Sequence, residues 1–205
     1  MTLFRNRYRI ESARLPNWDY SANAWYFITI CTQNRRHFFG RIEGATMRLS
    51  KIGDVAARNW ADIPLFSIGV RVDEFMVMPN HLHGIIVLER TPADQNILGI
   101  NQDSQDHVET LQCNVSTSTM DQDEFAAKMS QISPRAGSVS AIVRSYKSAV
   151  TRTVRRLGFT DFGWQARFYD SIIRHERSLQ RVRAYIQANP ARWDKDRDKA
   201  MGLWM

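Results

Sequence analysis

Two apolar runs separated only by a proline and an asparagine dominate the centre of the sequence. Residues 67–78 and 81–88 are rich in β-branched and apolar side chains, and Pro79-Asn80 lies between them. We expect the first run to be a strand, and the second to be its continuation or its hairpin partner. Both runs are apolar enough for central strands, so the chain must build a sheet around them.

Further elements are predicted on either side of this pair. Strands are expected at residues 25–32 and 168–174. Helices are expected at residues 53–63, 138–157 and 178–189, with Ser178 as the N-cap of the last and Pro190 as its end. This order predicts an α+β fold, a ferredoxin- or RRM-like antiparallel sheet with helices on one face and a C-terminal helix bearing Tyr185.

A polar insertion interrupts the pattern at about residues 91–137. Gln, Asn, Asp, Ser and Thr dominate this segment, and its acidic residues outnumber its basic ones. Because so long a loop is unusual inside a compact domain, we expect a disordered or weakly helical excursion, with a helical turn or two at residues 123–129. The whole chain, residues 1–205, is then one domain with this insertion.

Charge and cysteine content narrow the class of protein. The 28 Lys and Arg outnumber the 21 Asp and Glu, which gives a net charge of +7 and favours an anionic partner such as nucleic acid. Cys31 and Cys113 lie far apart, so neither a disulfide framework nor a zinc ribbon is indicated. Without a long apolar run or a signal-peptide pattern, we expect a cytoplasmic protein.

His81 and His83 are the first candidates for chemistry. Side chains two residues apart on a strand share a face, so both imidazoles can bind one metal ion. A bare pair of this kind is also a common structural feature of a strand end. Tyr185 and Asn189 share a face of the last helix by their four-residue spacing, although the same spacing suits a packed core.

Basic residues interleaved with aromatic ones favour binding of single-stranded nucleic acid. Arg and Lys would contact phosphates while Trp, Tyr and Phe stack on unpaired bases. The candidates are treated as a group: Arg35, Arg36, Arg144, Lys147, Arg152 and Arg155.

Together these motifs resemble the REP-associated tyrosine transposases, a branch of the HUH single-tyrosine transposases that act on single-stranded DNA. His81-Leu82-His83 is similar to the histidine, hydrophobic, histidine pattern that names the superfamily, and Tyr185 and Asn189 fall at its nucleophile and third metal ligand. The further matching segments are Ser145-Tyr146-Lys147-Ser148, Trp164-Gln165, Phe168-Tyr169-Asp170 and Ile173-Arg174. The resemblance covers most of the chain except the insertion.

The resemblance implies a metal-dependent endonuclease and strand transferase. Tyr185 would attack a DNA phosphodiester and form a 5′-phosphotyrosine, with His81 and His83 completing the catalytic set. His81, His83 and Asn189 would bind the metal, and two imidazoles with one amide suit Mg²⁺ or Mn²⁺. The partner would be single-stranded DNA that forms hairpins, bound by a monomer or by a homodimer that exchanges the tyrosine helix.

Two other functions stay open from the sequence. A catalytically silent, domesticated protein would keep the fold and bind single-stranded or hairpin DNA without cutting it. A phosphodiesterase that uses water would need His81 and His83 but not Tyr185.

Overall fold

A computed structural model describes residues 18–100 and 134–197 of the chain, together with Leu15. Its strands are β1 (Ala24–Cys31), β2 (Gly40–Glu43), β3 (Thr46–Leu49), β4 (Val70–Met78), β5 (His81–Leu88) and β6 (Tyr169–Ile173). Its helices are α1 (Lys51–Ala61), α2 (Pro92–Ile97), α3 (Val139–Arg156) and α4 (Glu176–Arg197). Short 3-10 turns occupy Gln33–Arg35 and Ile63–Phe66.

Four strands form one antiparallel sheet in the order β4-β5-β1-β6. Strand β5 is the hairpin partner of β4, with Met78 opposite His81. Because β5 lies between β4 and β1, those two strands run parallel and α1 crosses between them. Helix α3 crosses in the same way from β5 to β6. These two split βαβ units give the ferredoxin-like α+β arrangement that the sequence predicted.

The two faces of the sheet are covered by different helices. On β1, Tyr26, Ile28 and Ile30 belong to the core that α1 and α3 cover. The alternate residues Trp25 and Phe27 pack instead with the side chains of α4. Helices α1 and α3 therefore share one face as expected, and the tyrosine-bearing helix lies across the other.

Gly84 lets the core approach the strand that holds both histidines. A Cβ atom at this position would lie 2.4 Å from a ring carbon of Trp60, so the indole packs directly on the β5 backbone. The Trp60 ring meets Tyr146 edge-on at 5.2 Å, and the Tyr146 hydroxyl donates to the carbonyl of Ala56 at 3.1 Å. One packed cluster thus ties α1 and α3 to β5.

Helix α4 is longer at both ends than residues 178–189. It begins at Glu176 because the carbonyl of His175 accepts the N–H groups of Ser178 and Leu179, which places Ser178 inside the first turn. It also continues through Pro190, which removes one backbone hydrogen bond from the helix. Packing beyond the proline accounts for the continuation, because Trp193 stacks on His81 with ring centres 5.9 Å apart.

Strands β2 and β3 form a hairpin that the sequence did not predict. The two residues at its tip, Gly44 and Ala45, both have positive φ values, 55° and 59°. A two-residue turn of this kind usually contains Asn-Gly or Asp-Gly. Because alanine rarely adopts this conformation, the local sequence carried no hairpin signal.

Arg90 joins the two ends of the insertion. Its guanidinium donates to the carbonyls of Ser21 and Gly137, at 3.1 and 2.6 Å, so the chain leaves and re-enters the domain at one place. Residues 91–100 include α2, which begins with a capping box between Thr91 and Asp94. Residues 101–133, with the turns expected at 123–129 and with Cys113, lie outside the described residues.

Within the described residues, every helix is too short or too polar to cross a lipid bilayer.

Candidate active site

The two histidines face each other on the side of β5 that α4 covers. Their Nε2 atoms lie 3.0 Å apart. Nδ1 of His83 lies 2.8 Å from the hydroxyl of Thr29, and Nδ1 of His81 lies 2.8 Å from the side-chain oxygen of Asn80. Because a neighbour holds each Nδ1, both Nε2 atoms are left to converge, which is how metal-binding histidines are oriented.

This donor pair fits a divalent metal ion. Nitrogen ligands bind such ions at about 2.1 Å, and two of them at a right angle then stand about 3.0 Å apart. The separation of the Nε2 atoms of His81 and His83 has this value. Across residues 18–100 and 134–197, no third His, Cys, Asp or Glu joins the two to make a larger cluster.

Burial keeps both imidazoles neutral. It lowers the pKa of His83 to about 3. The pKa of His81 is also lowered well below its ordinary value, first by burial and then by the neighbouring His83 and the charge of Arg35. Neutral imidazole is the form that binds metals, so the two residues need lose no proton near neutral pH.

Tyr185 reaches the histidine pair from α4. Its hydroxyl oxygen lies 3.4 Å from Nε2 of His83, and the two rings are 5.3 Å apart. Phe27 stacks on His83 and meets Tyr185 edge-on, so it packs against both rings. The structure therefore brings together the three residues that the sequence proposed as catalytic.

Asn189 lies one helical turn beyond Tyr185 and is 5% exposed. Its spacing puts it on the same face of α4 as Tyr185. Among the side-chain hydrogen bonds of residues 18–100 and 134–193, none joins Asn189 to His81 or His83. Its assignment as a third metal ligand stays a prediction.

A bulge in β4 anchors the helix that carries Tyr185. Asp73 and Glu74 both stand opposite Ile85, so β4 holds one extra residue there. Asp73 accepts two hydrogen bonds from the guanidinium of Arg183, both 2.7 Å long, and Glu74 accepts one from Gln187 at 3.0 Å. The hydrogen bond from Arg183 holds the pKa of Asp73 well below its usual range. These anchors flank Tyr185 along the helix.

Several residues of this site were missed from the sequence, among them Thr29, Asp73 and Trp193. Thr29 did leave a signal, because it is a polar residue at an inward position of an otherwise apolar strand. Asp73 and Trp193 left none, since their roles depend on a bulge and on a helix that passes through a proline.

The basic residues proposed for DNA binding lie on two surfaces. Arg35 and Arg36 follow β1 near the histidines, where Arg36 pairs with Asp161 at 2.9 Å. The other four lie on α3, across the sheet from Tyr185: Arg144, Lys147, Arg152 and Arg155. Burial lowers the pKa of Lys147 to about 8. Whether these residues bind DNA stays a prediction.

Comparisons with known proteins give one clear relative. No family model matches the chain. An uncharacterized protein of Haemophilus influenzae is 33% identical over 189 residues, which are 91% of each chain.

Two solved structures are also similar, at lower identity. A REP-associated tyrosine transposase bound to a REP hairpin is 18% identical, with a TM-score of 0.48 over 100% of this chain and 89% of that one. A candidate transposase from Deinococcus radiodurans is 15% identical, with a TM-score of 0.35 over 87% of this chain and 96% of that one.

Identity of this level over nearly the full length of both sequences shows that the chain belongs to one family with the uncharacterized Haemophilus influenzae protein.

Proposed function

We propose that this chain is a transposase-like enzyme that cuts and rejoins single-stranded DNA, as the REP-associated tyrosine transposases do. The observation that supports it best is the position of Tyr185, whose hydroxyl lies 3.4 Å from Nε2 of His83, next to the converging pair. Tyr185 also packs on the apolar cluster around β5, but its hydroxyl lies beside a neutral imidazole whose other ring nitrogen is held by Thr29.

The proposed reaction is a transesterification at a DNA phosphate. The Tyr185 oxygen forms a bond to phosphorus and loses its proton, and the bond from phosphorus to the 3′ oxygen breaks. That oxygen takes up a proton and leaves as a 3′-hydroxyl, while the 5′ side stays on the protein as a phosphotyrosine. A 3′-hydroxyl can later reverse the step and rejoin strands, so no ATP is needed.

The surrounding residues orient the reacting groups. Thr29 and Asn80 fix the two imidazoles through Nδ1. Phe27 packs on His83 and Tyr185 and limits their movement. The Asp73–Arg183 pair keeps α4 on the sheet, so the phenol stays beside His83 when DNA arrives.

A divalent ion, Mg²⁺ or Mn²⁺, is part of the proposal. Its contribution would be to polarise the phosphate, which a phenol of ordinary pKa, near 10, needs for attack at neutral pH. His81 and His83 would hold it, with Asn189 as the third ligand.

The proposed substrate is single-stranded DNA that forms a hairpin. The net charge of +7 favours a polyanion. Residues of α3 and of the turn after β1 offer several exposed arginines to its phosphates.

The test is to trap the covalent intermediate. The protein is incubated with Mn²⁺ or Mg²⁺ and labelled hairpin oligonucleotides from the flanks of its own gene, and label that stays with protein is sought on a denaturing gel. We expect an adduct from the parent protein, and none from Tyr185→Phe or His81→Ala. Tyr20→Phe is the matched control, because Tyr20 packs on the opposite face of the sheet and should leave the adduct unchanged.

Three outcomes would contradict the proposal. An adduct that persists in Tyr185→Phe would mean another nucleophile. Cleavage without any adduct would indicate a phosphodiesterase that uses water. Binding of every hairpin without cleavage would indicate a catalytically silent DNA-binding protein.

A further inference from the structure

A groove of about 510 Å³ lies on the face of the sheet opposite Tyr185. It is lined by Lys147, Ser148, Thr151, Arg152, Arg155 and Trp164. Its volume falls within the range that small ligands occupy in proteins. The residues from α3 follow a spacing of three, four and seven positions, so they form one stripe on the solvent side of the helix.

Trp164 forms a fixed wall of this groove. Its indole N–H donates to the carbonyl of Lys147 at 3.2 Å. The ring packs on Phe162 and Tyr146, with centres 5.2 and 5.8 Å away. Because Trp164 is only half-buried, part of the ring remains open to the groove. A rigid, partly exposed indole suits stacking by another planar ring.

Lys147 lines the groove beside Trp164. Its ammonium group donates to the carbonyls of Gln165 and Arg167, at 2.8 and 3.1 Å, and lies 5.9 Å from the centre of the Trp164 ring. These contacts hold a cation beside the indole without a carboxylate to neutralise it.

The helix that lines one side of the groove is positively charged. Helix α3 contains five cationic residues and no acidic one: Arg144, Lys147, Arg152, Arg155 and Arg156. Arg152 and Arg155 are exposed, and neither pairs with a carboxylate in the described parts of the chain. The hydroxyl of Ser148 also lines the groove and can donate to a phosphate oxygen, whereas that of Thr151 donates to the carbonyl of Lys147 at 2.8 Å.

The groove opens at the same end of β1 as the histidine pair. Trp164 pairs with Thr32 just beyond β1, and the preceding residue, Cys31, stands opposite His81. A strand bound at the histidines can therefore pass around this end of the sheet to reach the groove.

We propose that this groove binds one unpaired nucleotide of the DNA strand, with its base on Trp164 and its phosphate between Arg152 and Arg155. The combination of an aromatic wall with exposed arginines and the Ser148 hydroxyl matches a nucleotide better than it matches a bare anion or an apolar ligand. That the nucleotide belongs to a strand rests on the proposed function.

The first test measures binding of a fluorescent single-stranded oligonucleotide by anisotropy across a salt series. It uses Tyr185→Phe protein in EDTA, so that no cleavage occurs. Loss of two phosphate contacts in Arg152→Gln/Arg155→Gln should flatten the slope of log K against log salt by about 1.4. The matched control, Arg156→Gln/Arg177→Gln, removes the same charge outside the groove and should change the slope by less than half as much.

The second test locates the base. An oligonucleotide carrying 4-thiothymidine is photocrosslinked and the adduct is mapped by mass spectrometry, with the peptide that contains Trp164 expected to carry it. Trp164→Leu should weaken oligonucleotide binding roughly tenfold while thermal unfolding stays cooperative. The proposal would be overturned if no crosslink mapped to residues 147–164 and the two double variants had equal salt slopes.

Competition separates a strand from a free nucleotide. Unlabelled oligonucleotide should displace the probe at far lower concentration than dTMP does. Equal displacement would mean that the groove binds free nucleotides, and would overturn the assignment to a strand. The two proposals fail separately. If Tyr185 forms the adduct but the groove variant and the control variant have the same salt slope, only the nucleotide-binding groove is contradicted. If the salt slopes are as expected but no adduct forms, only the proposed reaction is contradicted.

Discussion

The hydroxyl of Thr29 controls which nitrogen of His83 is available. It lies 2.8 Å from Nδ1 in a buried contact. For Nε2 to bind a metal through its lone pair, the proton of the neutral ring must be on Nδ1, which then donates a hydrogen bond to the Thr29 hydroxyl. Thr29 is 3% exposed and His83 is 2% exposed, so solvent has little access to replace the hydroxyl as the partner of Nδ1.

We expect Thr29→Val to weaken Mn²⁺ binding about 10- to 100-fold, because valine keeps the shape of the side chain and removes its hydroxyl. Thr29→Ser restores the hydroxyl and should bind Mn²⁺ nearly as well as the parent. Isothermal titration with Mn²⁺ measures both. Equal affinities of the valine and serine variants would show that the contact has no part in metal binding.

Burial of the histidines predicts the pH dependence of stability. In the unfolded chain His83 titrates near 6.5, whereas in the folded chain its pKa is about 3. Between these values the unfolded state binds more protons, so the free energy of unfolding rises with pH. The metal-free protein should therefore keep its full stability above about pH 6.5 and lose it progressively as the pH falls toward 3.

Urea unfolding in EDTA at several pH values between 7.5 and 4.5 measures this slope. His83→Gln removes the more deeply buried of the two imidazoles, and its free energy of unfolding should depend less on pH than that of the parent. A parent whose stability is flat over this range would show that the imidazoles are solvated.

At the scale of elements, the bulge in β4 sets the position of α4. A regular strand would place one residue opposite Ile85, whereas the bulge places Asp73 and Glu74 there, and both meet α4. The Asp73 side chain is only 10% exposed and that of Arg183 is 31% exposed, so water screens their interaction only in part.

Asp73→Asn should lower the free energy of unfolding by about 1.5–3 kcal/mol and slow formation of the Tyr185 adduct, because the charged hydrogen bonds to Arg183 weaken. Glu43→Gln is a suitable control, because Glu43 pairs with Arg41 at the surface and such pairs contribute little to stability. Urea unfolding and a time course of adduct formation give the two readouts. A stable variant with the parent's adduct rate would show that α4 needs no anchor at Asp73.

The same elements show which features a sequence can predict. The apolar period of β1, β4, β5, α1 and α3 was strong enough to place them within a few residues. The turn between β2 and β3 could not be predicted, because Ala45 adopts a backbone conformation that alanine seldom has. The predicted C-terminal end of α4 was wrong, because packing of Trp193 on His81 outweighs the tendency of Pro190 to end a helix.

The candidate site was predictable in part for a similar reason. His81, His83 and Tyr185 could be proposed because the identity of each residue already indicates its chemistry. Thr29 and Asp73 act through contacts with residues far along the chain, at His83 and Arg183, and only the folded structure reveals such pairs.

At the scale of the whole molecule, the structure of one chain already contains the whole candidate site. Helix α4 packs on Ile85 and Val87 of β5 and is anchored to β4 of the same chain. A homodimer that exchanged α4 would make the same contacts between two chains, so the two arrangements differ only in which chain supplies Tyr185.

Mixing two inactive variants distinguishes the two arrangements. Tyr185→Phe keeps the histidines and His83→Ala keeps the nucleophile, so a dimer that exchanged α4 would rebuild a complete site from one copy of each. We expect the mixture to form no adduct on labelled hairpin DNA, since each chain builds only its own defective site. Recovery of the adduct to a substantial fraction of the parent's level would contradict assembly within one chain.

The ferredoxin-like topology also imposes an order in time. The histidines lie on β5, in the interior of the sheet, whereas Tyr185 belongs to α4, which the ribosome makes after all six strands. Strand β6 must also be synthesised before the sheet is complete, and only then does α4 have its full surface to pack on. A nascent chain therefore has both histidines well before Tyr185, and the proposed activity begins only when translation has passed residue 185.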